Sequence, residues 1–221
     1  RQAVDRLVQQ IWRTVWLTLG CALTVGTLAL AQPTAAAMLS GPPLLQQLRA
    51  GGCVLVMRHA QAPTAAPAAR DAEPDNMRHE RQLDEAGKAS ARELGAALHA
   101  LQIPIGPVYS SPTFRALQTI RLARLGIPRT VPELTEGAQG MAGAAGHSQI
   151  MWLRRAVEKS PPSGHDTLIV THTPNIVGAF GHGVRDIKAG EMLVFKPQGT
   201  RPASIIGRIT IDEWQQLARQ R

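Results

Sequence analysis

VLVMRHA, residues 54–60, runs four apolar residues directly into an arginine and a histidine. With Cys53 in front and Gly51-Gly52 bounding it, the run describes a strand covered on both faces, as in a parallel sheet, and not an alternating, half-solvated one. Ligands of open parallel sheets gather outside the carboxyl ends of such strands. Arg58 and His59 stand at that end. Either the strand has reached water, where polar residues are cheap, or both side chains are aimed at something negatively charged. One strand does not decide between these.

The chain repeats the pattern twice. LIVTHTPN, residues 168–175, takes a second fully apolar strand (Thr167–Thr171) into His172, after which Thr173 can cap a helix with Pro174 at its first position. VYSSPTFRALQT, residues 108–119, takes a short strand, Val108-Tyr109, to Ser111 as expected N-cap, with Pro112 opening a helix to Leu125. Arg115 then falls in the first turn or so. Helix N-termini at such a rim add backbone N–H groups and a partial positive charge. All three stretches converge on one rim holding Arg58, His59, Arg115 and His172.

The remaining periodicities fit around these strands. Leu44–Arg49 reads as a short helix ended by Gly51-Gly52. Leu83–Leu101 reads as a helix capped by Asp84, with Ala86, Leu94, Ala97, Leu98 and Leu101 on one stripe. Ile127–Val131 leads into another strand, Ile150–Lys159 is a helix, and Thr173–Phe180 opens one more. Glu191–Lys196 and Ser204–Ile211 form an alternating hairpin. Residues 61–82 lack periodicity, and a loop of that length in a compact domain is usually functional or mobile. Gly137–Ser148 also reads as loop. Strand–helix alternation of this kind predicts an α/β three-layer sandwich, mostly parallel sheet with helices on both faces.

At 221 residues and 44% hydrophobic content the chain suits one globular domain. Its net charge is +8, yet the basic residues are scattered without a Lys/Arg run or an aromatic stripe, so no nucleic-acid partner is expected. Arg1, Arg6 and Arg13 precede an apolar stretch, Val15–Ala31, ending in Ala29-Leu30-Ala31. That is the pattern of a signal peptide, with Ala31 or Ala37 the last residue removed; left uncleaved, residues 14–31 would be a membrane anchor. Either outcome predicts a periplasmic or secreted domain. The expected organisation is 1–31 leader or anchor, 32–43 linker and 44–221 domain. Losing residues 1–31 removes three Arg and one Asp, taking +8 to +6, and removes Cys21. Cys53 then has no partner for a disulfide and is expected to be a buried, inert thiol.

Two arginines and two histidines on one rim repel one another until an anion arrives, and paired guanidiniums match a phosphoryl group well. A largely neutral histidine there can be a nucleophile, and arginines on the phosphoryl oxygens stabilise developing charge without a metal. The set MRHA, HERQLDEAGKASARELGAAL, VYSSPTFRALQT and LIVTHTPNI, in that order from about Cys53 to Trp214, resembles the histidine phosphatase superfamily, with its phosphoglycerate-mutase-like fold. The resemblance implies that His59 takes the phosphoryl group, that Arg58, Arg115 and His172 bind its oxygens, and that a carboxylic acid protonates the leaving oxygen. PELTEG resembles the family's Leu-x-Glu segment, making Glu136 the first choice of acid, Glu133 the second and Glu191 the third. The chain departs from the common pattern with Ala60 after the RH pair, Thr173-Pro174-Asn175 after the late histidine, and no Trp or Gly after the candidate glutamate. No Asp stands beside His172, which argues against the phytase-like branch.

The expectation is therefore a metal-independent phosphomonoester hydrolase acting on a small phosphorylated substrate, with no cofactor. A phosphomutase and a catalytically inactive phosphate- or sugar-phosphate-binding module are the alternatives. His79 and His99 read as solvated and His147, His165 and His182 as loop residues, none at a metal-ligand spacing. Arg70, Arg78 and Arg81 read equally well as a basic lip or as a solvated loop, and Asp75 and Asn76 likewise.

Overall fold

The computed structural model describes residues 38–136 and 146–220. The expected leader or anchor and its cleavage sites lie outside these residues, as does most of the Gly137–Ser148 loop. No helix among the described residues is long and apolar enough to cross a membrane.

Six strands form one sheet: β1 (Val54–Arg58), β2 (Ile105–Ser110), β3 (Arg129–Thr130), β4 (Asp166–Thr171), β5 (Met192–Gln198) and β6 (Arg201–Ile209). Their order is β3-β2-β4-β1-β5-β6, with β3, β2, β4 and β1 mutually parallel and β5 and β6 added antiparallel. The unbroken apolar run of β1 has its explanation in the two layers it divides. Cys53, Leu55 and Met57 enter one core with α1 (Gly41–Arg49), α2 (Glu85–Ala100), α3 (Phe114–Ala123) and α6 (Ile211–Arg219). Val54 and Val56 enter the opposite core with α4 (His147–Glu158) and α5 (Thr173–Phe180). Burying both faces leaves no solvent side to alternate towards. The three-layer α/β sandwich, mostly parallel with helices on both faces, is what the sequence predicts.

Several boundaries move, each for a local reason. The expected linker ends early: Leu39 N donates to Ile206 O at 2.6 Å, and α1 already starts at Gly41, its two prolines suiting a first turn that needs no N–H groups. β2 is longer than Val108-Tyr109 and runs through Pro107, with a register shift between Ile105 and Val108. Asp84 does cap α2, accepting from Gly87 N at 2.7 Å, but Ala86 is exposed and Gly87 and Ala91 take its place on the buried stripe. A Cβ at Gly87 would come within 2.0 Å of Gln61 O, so this close crossing requires glycine. His147 opens α4 and is not a loop residue. The tail hairpin stops at Ile209, and α6 follows it, opened by a Thr210/Glu213 capping box and anchored by buried Trp214.

At the end of the sheet remote from the rim, buried Asp166 accepts from Cys53 N at 2.8 Å while its Oδ2 has no hydrogen-bond partner. Burial pushes this carboxyl up to about 6, and burial together with Asp166 pushes the Cys53 thiol up to about 11. The folded state thus binds a proton at Asp166 more tightly than the unfolded chain, so stability falls as pH rises from the unfolded value towards 6, and the penalty is complete above that. Asp166→Asn should therefore raise stability at pH 8 by on the order of 2 kcal/mol and change it little at pH 4. Denaturant unfolding at the two pH values checks this; an equal difference at both would refute it.

Candidate active site

The register of β1 on β4 builds the site. Arg58 pairs with Thr171, so the next residues, His59 and His172, leave the sheet side by side. Backbone bonds fix both: His59 N donates to Thr171 O at 3.1 Å, and Gly190 N is shared between Arg58 O and His59 O at 3.0 and 3.1 Å. The imidazole centroids lie 5.1 Å apart, with the ring planes at 64°. From β2, one strand further out, α3 brings Arg115 between them. Its Nε donates to His59 Nε2 at 3.2 Å, and Nη2 to His172 Nδ1 at 3.1 Å and to Glu136 Oε2 at 2.5 Å. Arg58 lies at the same rim, half-buried, with Nη1 donating to Ile187 O at 2.9 Å.

The tautomers follow from these partners. His59 Nδ1 faces Ala60 O at 2.7 Å, an acceptor only, so Nδ1 carries the proton and Nε2 the lone pair. His172 Nδ1 accepts from Arg115, so its Nε2 holds the proton and points to Ser111 Oγ at 2.9 Å, with Thr113 Oγ1 at 3.4 Å. His59 is 4% exposed and His172 fully buried. Burial pulls His59 down to about 3, with Arg115, Arg58 and Arg81 adding to the effect against its bond to Ala60 O. Burial, then Arg115 and His59, hold His172 well below the ordinary imidazole value. Burial also lowers Arg58 and Arg115, partly opposed by Glu136. Both imidazoles are neutral at pH 7, and His59 Nε2 is a lone pair facing a guanidinium.

The candidate acids separate. Glu136 is at the site, between Arg115 and Arg81, whose Nη1 is 3.6 Å from its Oε2. Glu133 lies in the 3₁₀ turn just before it, where its carbonyl accepts from Asn175 Nδ2. Glu191 is buried and committed elsewhere: its carboxylate accepts from Arg208 Nε and Lys188 N, both at 2.7 Å, closing a turn into β5. It is not available to a substrate. Helix N-termini contribute less than their sequence predicts. α3 starts two residues after Pro112, with Thr113 rather than Ser111 at the N-cap; Ser111 Oγ is turned to His172, and Phe114 N is taken by Glu80 Oε2 at 2.9 Å. The N-cap position of α5 is His172, which makes no side-chain cap bond, and not Thr173. Thr119 is a member not anticipated, tying Ala60 N (3.1 Å) to Arg115 O (2.8 Å) through one hydroxyl. Of the other histidines, His79, His99 and His165 are exposed. No three His, Cys, Asp or Glu side chains among the described residues are grouped to hold a metal ion.

Residues 54–141 match the histidine phosphatase superfamily (branch 1). The fold agrees: a protein from Agrobacterium tumefaciens described as a phosphohistidine phosphatase, SixA, is 20% identical, with 72% of this chain and 98% of that one aligned at a TM-score of 0.50. One from Escherichia coli described as an alpha-ribazole-5'-P phosphatase is 15% identical over 73% and 98%, at 0.51. No curated protein matches the sequence. Superfamily and fold together support a phosphatase, and Arg58, His59 and Arg115 all fall within the matched histidine phosphatase segment.

The His59 imidazole should stay neutral from pH 7.5 down to 5, its ring ¹⁵N shifts unmoved with protonated Nδ1. A titration midpoint near the ordinary imidazole value would show that the site is neither dry nor dominated by the arginines.

Proposed function

We propose that this chain hydrolyses phosphomonoesters without a metal, through a phosphohistidine on His59. The observation that carries the reading is the His59 Nε2 lone pair, fixed by the Nδ1 bond to Ala60 O and aimed into a nest of Arg115, Arg58 and His172. An incoming phosphoryl group takes over Arg115 from His59 and Glu136. Arg58, Arg115 and, once its Nε2–H is released from Ser111 Oγ, His172 then hold its peripheral oxygens and spread the charge that develops on them. The Nε2–P bond forms as the ester P–O bond breaks, and Glu136 relays the proton of the phosphate monoanion to the leaving oxygen. In the second step Glu136 takes a proton from water, the water oxygen attacks phosphorus, the P–N bond breaks and phosphate departs. Because the imidazole is already neutral, no base is needed to make the nucleophile.

His59→Ala should abolish turnover of p-nitrophenyl phosphate, by at least about 10³-fold, while phosphate still binds. The wild type should yield an acid-labile, base-stable phosphoenzyme on quenching, and EDTA should leave its rate unchanged. Glu136→Gln should lower kcat/KM, which reports the first step, by about 10²-fold or more for alkyl phosphates, and by less for p-nitrophenyl phosphate, whose leaving group needs no proton. A wild type that binds phosphate yet turns over no ester would establish the binding module in place of the enzyme. We further propose that the domain works outside the cytoplasm, supported by the basic, apolar and small-residue order of residues 1–31. Recovery of the tagged chain solely in the cytosolic fraction would refute this.

A further inference from the structure

The stretch between β1 and α2, featureless in sequence, is fastened beside the site. Asn76, 2% exposed, donates from Nδ2 to Glu80 O at 2.7 Å and to Gln82 Oε1 at 3.2 Å, while its Oδ1 accepts from Glu80 N at 2.9 Å. Glu80 is tied to Phe114 N at the start of α3. Arg81 lies between these two anchored neighbours, and its Nε donates to Pro63 O at 2.7 Å. Its side chain is only 27% exposed, against 88% for Arg70 on the same loop. Only the two terminal nitrogens remain for a ligand. Nη1 stands 3.6 Å from Glu136 Oε2, beyond hydrogen-bond length, and that oxygen is 2.5 Å from Arg115 Nη2. Among the described residues these terminal N–H groups have no hydrogen-bond acceptor. One carboxylate oxygen therefore already lies between the arginine assigned to the phosphoryl group and a third, preorganised guanidinium.

Arg58, Arg115 and His172 suffice for the peripheral oxygens of a phosphoryl group, which leaves Arg81 without an assignment in that chemistry. A guanidinium held through Nε presents its open fork to planar or tetrahedral oxyanions, and its ordering is complete before a ligand arrives. We propose that Arg81 is a specificity residue that binds a second anionic group on the leaving portion of the substrate. Preferred substrates are then phosphomonoesters with a carboxylate or a second phosphate close to the ester oxygen. This rests on the phosphatase reading above.

Phosphate release from phosphoglycolate, propanediol bisphosphate, ethyl phosphate and p-nitrophenyl phosphate tests the inference on the full chain and on Arg81→Ala and Arg81→Lys. The wild type should favour at least one doubly functional ester over ethyl phosphate; favouring phosphoglycolate alone identifies a carboxylate, and the bisphosphate alone a phosphate. Arg81→Ala should raise KM for that ester by about 10- to 100-fold and raise KM for ethyl phosphate far less, with Arg81→Lys between. Absence of any such preference in the wild type overturns the inference. So does an equal fall in kcat on all four esters, which would make Arg81 only a support for Glu136. A wild type inactive on every ester overturns the phosphatase reading instead; calorimetric binding of phosphoglycolate against ethyl phosphate, to wild type and Arg81→Ala, then decides the role of Arg81 by itself. Should Arg81→Ala fail to fold, Arg81→Lys carries the same comparison.

Discussion

Arg115 is a buried cation with more acceptors than charge to balance it. At 4% exposure it bonds two imidazoles and one carboxylate, and only the carboxylate, itself partly exposed, is negative. Removing a guanidinium from water costs several kcal/mol, and a single ion pair offsets that incompletely. The rest of the site answers to this imbalance. Both histidines accept from Arg115 and so must remain neutral, and each then needs an acceptor for its other ring proton. Ala60 O serves His59, and Ser111 Oγ serves His172. The same cation that disfavours protonation of His59 also fixes which nitrogen holds the lone pair. The tautomers of both histidines and the lone pair at His59 Nε2 follow from one desolvated charge.

Such a cluster persists only if something else holds the parts in place, and here that is main chain. The ends of β1 and β4 are bonded to each other, and that of β1 to Gly190, through peptide groups, so the imidazoles stay close whether or not their side-chain contacts are favourable. The two hydrophobic layers that lock these strands lie behind the rim and do not depend on its charge. Stability and the like-charge crowding of the site are thereby kept in different parts of the molecule, the arrangement expected where function requires locally unfavourable electrostatics.

What was legible in the sequence is what strand ends encode. An apolar run covered on both faces implies a central parallel strand, and the residue after it must emerge at the ligand-binding rim. That argument places Arg58, His59 and His172 from their local sequence alone. Arg115 follows from a helix start, and it survives a two-residue error in that start because both versions leave it in the first turn. Contacts made by loops were not legible. Asn76 reads as an ordinary loop asparagine, and only the path of the chain shows it buried and bonded to Glu80 and Gln82. Glu191 opens a strand near the rim, but Arg208 and the turn at Lys188 claim its carboxylate, and neither claim has a sequence signature. The helix α6 did have one: Thr210-Ile211-Asp212-Glu213 is a capping-box pattern that the strand reading of Ser204–Ile211 obscured.

The helix termini bear on how the anion is recognised. Two strand-to-helix junctions at one rim lead one to expect backbone N–H groups and helix dipoles to cradle a phosphoryl group. At α3, however, Glu80 already occupies the Phe114 N–H, and at α5 the second helical residue is Pro174, which has none to offer. Recognition then falls to side chains, whose donors are directional and fixed in number. Backbone cradles accept any phosphate of suitable size, whereas guanidinium forks discriminate by the placement of each oxygen. Under the proposed reaction, a carboxylate that closes one helix terminus also removes a second, nonspecific place for the phosphoryl group to bind. The lone pair of His59 faces Arg115, with His172 beside it and Arg58 at the same rim.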